Sequence, residues 1–261
     1  MKPAFVIPFY GAEIGGGAEM LCRRLAENLV QRGLEVEVLT TCLRDLGSSW
    51  NANYYPPGEY LINGVPVKRF LIRPMNPDIF VAVNNKLVAR HPVSLEEEVD
   101  YLRNAVNSDA LFSYIGDHKR ERIYFFLPYL FGTSLNGVSA APERSFLIPC
   151  LHNEGYAEMR VTRRMFQKAS GALFLSKAEM ALAKTLFDGL AGMETFLLGC
   201  GVDELGATDA AWFREKHKLG DAPFILYVGR KDATKNTPLV VDYFARIRRR
   251  NISAPPPSSA P

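Results

Sequence analysis

The feature that most constrains this chain is its opening forty residues, where an apolar strand runs into a glycine cluster, an amphipathic helix and a second strand. Ala4-Phe5-Val6-Ile7-Pro8 is short and apolar, like a buried strand. After Gly15-Gly16-Gly17, residues Ala18, Leu21, Cys22, Leu25 and Leu29 recur at helical spacing until Gly33 closes the helix. Leu34 to Thr40 reads as the second strand, so the segment is a βαβ unit. Strand and helix signals then alternate along most of the chain, which predicts an α/β fold with a doubly wound, mostly parallel sheet covered on both faces.

The glycines admit two readings. Glycine lets a backbone approach a ligand closely, and the free N–H groups of the helix start favour an anion, so the loop fits phosphate handling. The other reading is a tight strand-to-helix turn with no ligand. Two dinucleotide- and nucleotide-binding patterns fail here. Met20 stands where a Rossmann fingerprint starting at Gly15 needs its third glycine, and Gly17 stands where a Walker A loop starting at Gly11 needs lysine.

At 261 residues and 48% hydrophobic, the chain can bury a full core. Residues 1–3 run straight into the first strand, and no long uncharged apolar stretch occurs, so the expected location is cytoplasmic. Cys22, Cys42, Cys150 and Cys200 are far apart, and none forms a Cys-x-x-Cys pair. Reduced, mostly buried thiols and no metal site are expected. A net charge of +3 is too small for a nucleic-acid partner. The bunching at Arg23-Arg24, Arg163-Arg164, and Arg246 with Arg248-Arg249-Arg250 makes these clusters either solvated faces or contacts to anionic lipid at the inner membrane surface.

Further along, residues 50–64 read as a loop and Val65 to Ile72 as a strand after the Asn63-Gly64 turn. Residues 73–95 are interrupted by Pro74, Pro77 and Pro92 and resist assignment. Then come a helix from Ser94 to Val106, a strand from Ala110 to Ile115, a helix from Glu121 to Phe131 carrying a core stripe of Tyr124, Phe125, Phe126 and Tyr129, and a strand from Phe146 to Leu151. Val161 to Ala169 reads as a helix and Ala172 to Leu175 as a strand. Ser176 and Glu179 form a capping box that opens a helix ending near Gly189. A strand from Thr195 to Leu198, a linking helix from Asp209 to Leu219, a strand from Pro223 to Val228 and a helix opened by Asn236-Thr237-Pro238 complete the pattern. Beyond Ile252 the composition is only Ser, Ala and Pro, which predicts disorder.

Four motifs occur in one order. They are Gly16-Gly17-Ala18-Glu19, His152 at the end of the 146–151 strand, Gly201-Val202-Asp203, and Tyr227-Val228-Gly229-Arg230 followed by Lys235-Asn236. This series resembles the retaining glycosyltransferases of the GT-B fold, specifically glycosyltransferase family 4. The resemblance implies two Rossmann-like domains, with 1–205 as the acceptor-side domain, 206–222 as a linker helix, 223–250 as the start of a truncated donor-binding domain, and 251–261 as a tail. It further implies a sugar moved from a nucleotide-sugar donor, a UDP- or GDP-sugar, to a glycan or glycolipid acceptor, without a metal or other cofactor, in the building of a polysaccharide or glycolipid. Gly16, Gly17, Arg230 and Lys235 would then serve donor phosphates, and His152 the transferred sugar. Glu154 or Glu19 would orient an acceptor hydroxyl, with Asp117-His118 as a less favoured pair.

Two cations five positions apart fit that chemistry, because cleaving the sugar–diphosphate bond leaves negative charge on the leaving group. The acidic pair that holds the donor's sugar in this family has no counterpart here. The chain is therefore expected to carry the acceptor half and the diphosphate corner of the donor half, as a truncated or split product or a portion of a longer enzyme. The alternative is a non-catalytic acceptor-binding module that works with a partner. The apolar segment 224–228, if uncovered, would favour self-association.

Overall fold

The computed structural model describes residues 1–202, 206–221, 223–229, 231 and 235–253. The chain divides into two compact units, Met1–Val202 and Asp203–Pro261. In the first, the described residues form one eight-stranded sheet in the order β3-β4-β2-β1-β5-β6-β7-β8. The strands are β1 (Lys2–Val6), β2 (Glu37–Thr41), β3 (Gly58–Ile62), β4 (Val65–Phe70), β5 (Arg122–Phe126), β6 (Ser145–Leu147), β7 (Gly171–Phe174) and β8 (Glu194–Leu197). Every pairing is parallel except β3 with β4. The chain builds outward from β1 through β2 and β4, then returns to the other side of β1 as β5. The strand order therefore reverses between β1 and β5, and in open α/β sheets the crevice beyond the carboxyl ends at such a point is where ligands bind.

Both faces of the sheet are covered, which is why strand residues are buried without regard to parity. Ala4, Val6, Tyr124 and Phe126 pack on one face with residues of α2 (Pro77–Val88), α3 (Leu95–Asn104) and α4 (Asp109–Asp117). Phe5 and Val38 pack on the other with Cys22 and Ala26 of α1 (Gly17–Gln31). At about 1.5–3 kcal/mol for each large apolar side chain, this double burial is the main source of stability.

Several elements differ from the sequence reading. Residues 110–115, expected as a strand, belong to α4. Ser108 accepts a hydrogen bond from the Leu111 N–H as its cap, and Leu111 and Ile115, four apart, are the buried pair. Residues 121–131, expected as a helix, instead contain β5. Tyr124 and Phe126 face one core and Phe125 the other, a period of two that the aromatic run concealed. The expected loop at 50–64 contains β3, joined to β4 by Asn63 and Gly64, both at positive φ as a two-residue hairpin turn requires. Pro77, read as a breaker, sits in the first turn of α2, where the Asn76 side chain accepts from the N–H groups of Asp78 and Ile79.

The short helix α5 (Gly132–Leu135) lies between β5 and β6, and α6 (Gly155–Glu158), α7 (Arg160–Lys168) and α8 (Lys177–Leu186) follow β6. In the second unit, α9 (Ala210–Lys216) and α10 (Thr237–Ser253) form where helices were expected. The described residues of 223–228 are not a strand. Asp203, Arg230 and the tail after Ser253 lie outside the described residues.

Candidate functional site

Past the carboxyl end of β1 the chain stays inside the protein through Ile7, Phe9 and Tyr10 before surfacing in the glycine loop. Two arginines hold it there. Buried Arg69 donates to the carbonyls of Tyr10 (2.6 Å) and Thr41 (3.2 Å), while its guanidinium lies over the Tyr55 ring. Arg23, in the second turn of α1, donates to the carbonyls of Gly11 (2.9 Å), Ala12 (2.8 Å) and Ile14 (3.3 Å). Arg23 is thus engaged with the loop's own backbone, which separates it from the basic cluster with Arg24 read from the sequence.

Gly16 caps α1 at φ 143, a conformation that a side chain strains. A Cβ built there would lie 2.0 Å from Glu19 Oε2, whereas Gly15 and Gly17 face open space. The Glu19 carboxylate folds back over the glycine and accepts from its own N–H. Burial raises its pKa, and that hydrogen bond opposes the rise. A carboxylate of the protein itself therefore lies at the amide-rich start of α1.

The second arm of the site follows β6. The Ile148 N–H donates to Phe126 O and the Tyr129 N–H to Pro149 O, tying the ends of β5 and β6 together. Cys150 then adopts φ 52, in the left-handed region that non-glycine residues rarely enter. The next N–H, from Leu151, donates to Glu179 Oε1 at 2.7 Å. The N–H of Leu175 donates to Glu179 Oε2 at 2.6 Å. Burial pushes the Cys150 thiol up to about 12, with Glu179 and Glu19 as the next contributors. Cys22 of α1 and Ile148 at the end of β6 belong to one buried core, which brings α1 to the side of the sheet from which the His152 turn leaves.

His152 is exposed at the top of that turn. Its carbonyl accepts the Glu154 N–H at 3.0 Å. The Glu154 carboxylate accepts from the Tyr129 hydroxyl at 2.8 Å. Burial, reinforced by Glu154, raises the Tyr129 pKa far above the usual phenol range, so this hydroxyl remains a donor. On the other side, Arg90 donates to Asn153 Oδ1 at 3.0 Å and pairs with Glu158.

The structure therefore gathers Gly16, Gly17, Glu19, His152 and Glu154 at the carboxyl edge of one sheet. His118 lies elsewhere, stacked on Tyr114 between α4 and the amino end of β5. That opposite edge has a cavity of about 410 Å³ lined by Lys2, Glu37, Glu59, Lys68, Tyr114 and Arg122. Its cations are matched by carboxylates, in the pairs Lys2–Glu37, Lys68–Glu59 and Arg122–Glu37. Lys235 belongs to the second unit, where its carbonyl accepts from the Tyr227 hydroxyl. Among the described residues no three His, Cys, Asp or Glu side chains converge as a metal site, and no helix is long and apolar enough to cross a membrane.

Sequence reasoning missed Arg23, Arg69 and Glu179. For Glu179 a signal existed, since a glutamate three residues after Ser176 reads as a capping box. The Ser176 hydroxyl does accept the Glu179 N–H at 3.1 Å, but the carboxylate is spent on Leu151 and Leu175 instead.

No family model and no curated protein matches the chain. Among solved structures, it is similar to trehalose-6-phosphate synthase from E. coli bound with UDP-2-fluoro glucose, at 12% identity and TM-score 0.47, over 95% of this chain and 55% of that one. It is also similar to Phytolacca americana UGT2 complexed with UDP-2-fluoro-glucose and pterostilbene, at 11% identity and TM-score 0.38, over 78% of this chain and 55% of that one. The chain spans about half the length of each.

Proposed function

We propose that this chain is the acceptor-side part of a GT-B retaining glycosyltransferase resembling family 4, which transfers a sugar from a UDP- or GDP-sugar to a glycan or lipid-linked acceptor. The observation that carries the reading is the meeting of the glycine loop and the His152 turn at the carboxyl edge of a parallel sheet, at and beside its switch point. In this reading Gly16 and Gly17 let donor phosphates approach the start of α1, and Glu19 swings aside to receive an acceptor hydroxyl. His152 meets the transferred sugar. Arg230 and Lys235 bring positive charge to the departing diphosphate, where charge develops in the transition state.

Adding UDP- and GDP-sugars to the isotopically labelled chain tests this. Amide signals of residues 15–19 and 151–153 should move together on saturation. Shifts confined to the amino edge, around Lys2 and Arg122, would remove the reading.

A second reading is a non-catalytic acceptor module whose partner supplies the donor half. Acceptor binding without turnover, restored to turnover by a donor-domain chain, would select it. Membrane contact through the basic clusters is a further proposal, in which Arg163 is already paired with Asp188 and Arg246 with Asp242. The exposed residues Ile225, Leu226 and Val228 are proposed to drive self-association, which concentration-dependent sedimentation would detect.

A further inference from the structure

We propose that Glu179 is the positioning residue of the His152 turn, its buried carboxylate clamping the backbone ends that follow β6 and β7. The His152 turn stands outside the regular sheet. Its strand pairing ends at Ile148, its Cys150 sits at φ 52, and His152 is exposed and makes no side-chain hydrogen bond among those described. A strained residue persists only where its surroundings over-determine it. Among the contacts that hold this turn, one buried side chain, 8% exposed, reaches it from the first turn of α8.

Each Glu179 oxygen takes one backbone N–H, at 2.7 Å from Leu151 and 2.6 Å from Leu175. These are charge-assisted contacts, shorter and stronger than neutral ones. The two donors follow adjacent strands, so one carboxylate fixes the carboxyl end of β6 relative to that of β7. Leu151 immediately precedes His152, and the clamp therefore sets where the imidazole stands. The Ser176 hydroxyl, by accepting the Glu179 N–H, anchors the base of the side chain and leaves both carboxylate oxygens for the clamp.

The consequence for sugar binding rests on the functional reading above, but the clamp itself does not. The test is E179Q in the full chain, with E179D as a second variant, read by the amide signals of Leu151 and Leu175 and the imidazole signals of His152. Glutamine keeps the length and one acceptor but turns an NH₂ group toward a backbone donor. The expected result is an upfield move of at least one of the two amides, with displaced or broadened His152 signals, while signals from β1 and β5 stay in place. Unchanged His152 signals in E179Q and E179D would overturn the proposal, as would a uniform change across the whole sheet.

A binding arm separates the two claims. Nucleotide-sugar affinity should fall about tenfold in E179Q, the scale of one charge-assisted hydrogen bond, and no further in E179Q combined with H152Q than in H152Q alone. If His152 signals respond to E179Q while H152Q binds nucleotide-sugar like the native chain, the clamp stands and the role given to His152 falls.

Discussion

The Tyr129 hydroxyl donates to the Glu154 carboxylate at 2.8 Å, joining the loop after β5 to the turn after β6. Glu154 is only partly buried, while Tyr129 is fully buried and its phenol is held protonated by desolvation and by that same carboxylate. Tyr129→Phe keeps the packing and removes the donor. Leaving a carboxylate oxygen unmatched costs about 1–3 kcal/mol, so a Tm lower by on the order of 5 °C is expected in thermal unfolding. An unchanged Tm would show that solvent replaces the tyrosine.

Gly16 and Gly17 separate stability from ligand access. Gly16→Ala forces a side chain into φ 143 and against Glu19, at a cost of about 1–3 kcal/mol. Gly17→Ala meets open space at the first helical position and should stabilise by about 0.5–1 kcal/mol. If phosphates approach this loop, the more stable Gly17→Ala variant binds nucleotide-sugar less well. Denaturant titration and binding measured on the same samples check both signs.

Arg23→Ala removes donors to three loop carbonyls. Faster hydrogen exchange in residues 11–20 and a loss of about 1–3 kcal/mol are expected. Arg24→Ala, at a side chain half exposed and 3.7 Å from Glu27, should change stability by less than about 1 kcal/mol. If anionic vesicles bind the native chain and Arg24→Ala equally well, the first basic cluster has no role at a membrane.

The cysteines give a pH prediction. Cys200 is exposed, Cys150 is partly buried, and Cys22 and Cys42 are buried. Alkylation at about pH 8, followed by peptide mass spectrometry, should label Cys200 first, Cys150 slowly, and the other two only on unfolding. The Cys150 value of about 12 stands above the ordinary thiol value of 9.0. The folded state thus favours the neutral thiol. The resulting stability is whole below 9.0 and is lost as pH rises from there toward about 12, so unfolding free energy should decline over that window and recover in Cys150→Ser.

What the sequence makes legible follows from how local each signal is. The β1–α1–β2 unit declares itself because strand run, glycine cluster and helical period lie within forty residues. The helix expected from Ser94 is found as α3, with a reciprocal Ser94–Glu97 box at its start. The stretch from 108 to 126 misleads because α4 is short and apolar enough to read as a strand, and because three consecutive aromatics in β5 serve opposite faces of the sheet. At the site, Gly16, Glu19 and His152 are visible since they sit where elements begin or end. The Glu179 contact with Leu151 spans 28 residues, and Arg69 reaches 59 residues back to Tyr10. No local pattern encodes either one.

The most direct test of the account is an equilibrium titration of the 261-residue chain with UDP-, GDP-, ADP- and TDP-sugars, run beside H152Q and the double variant Arg230→Ala, Lys235→Ala. Saturable binding of one nucleotide class, weakened in both variants, is expected. Absence of binding to all four, or binding that neither variant changes, would contradict it.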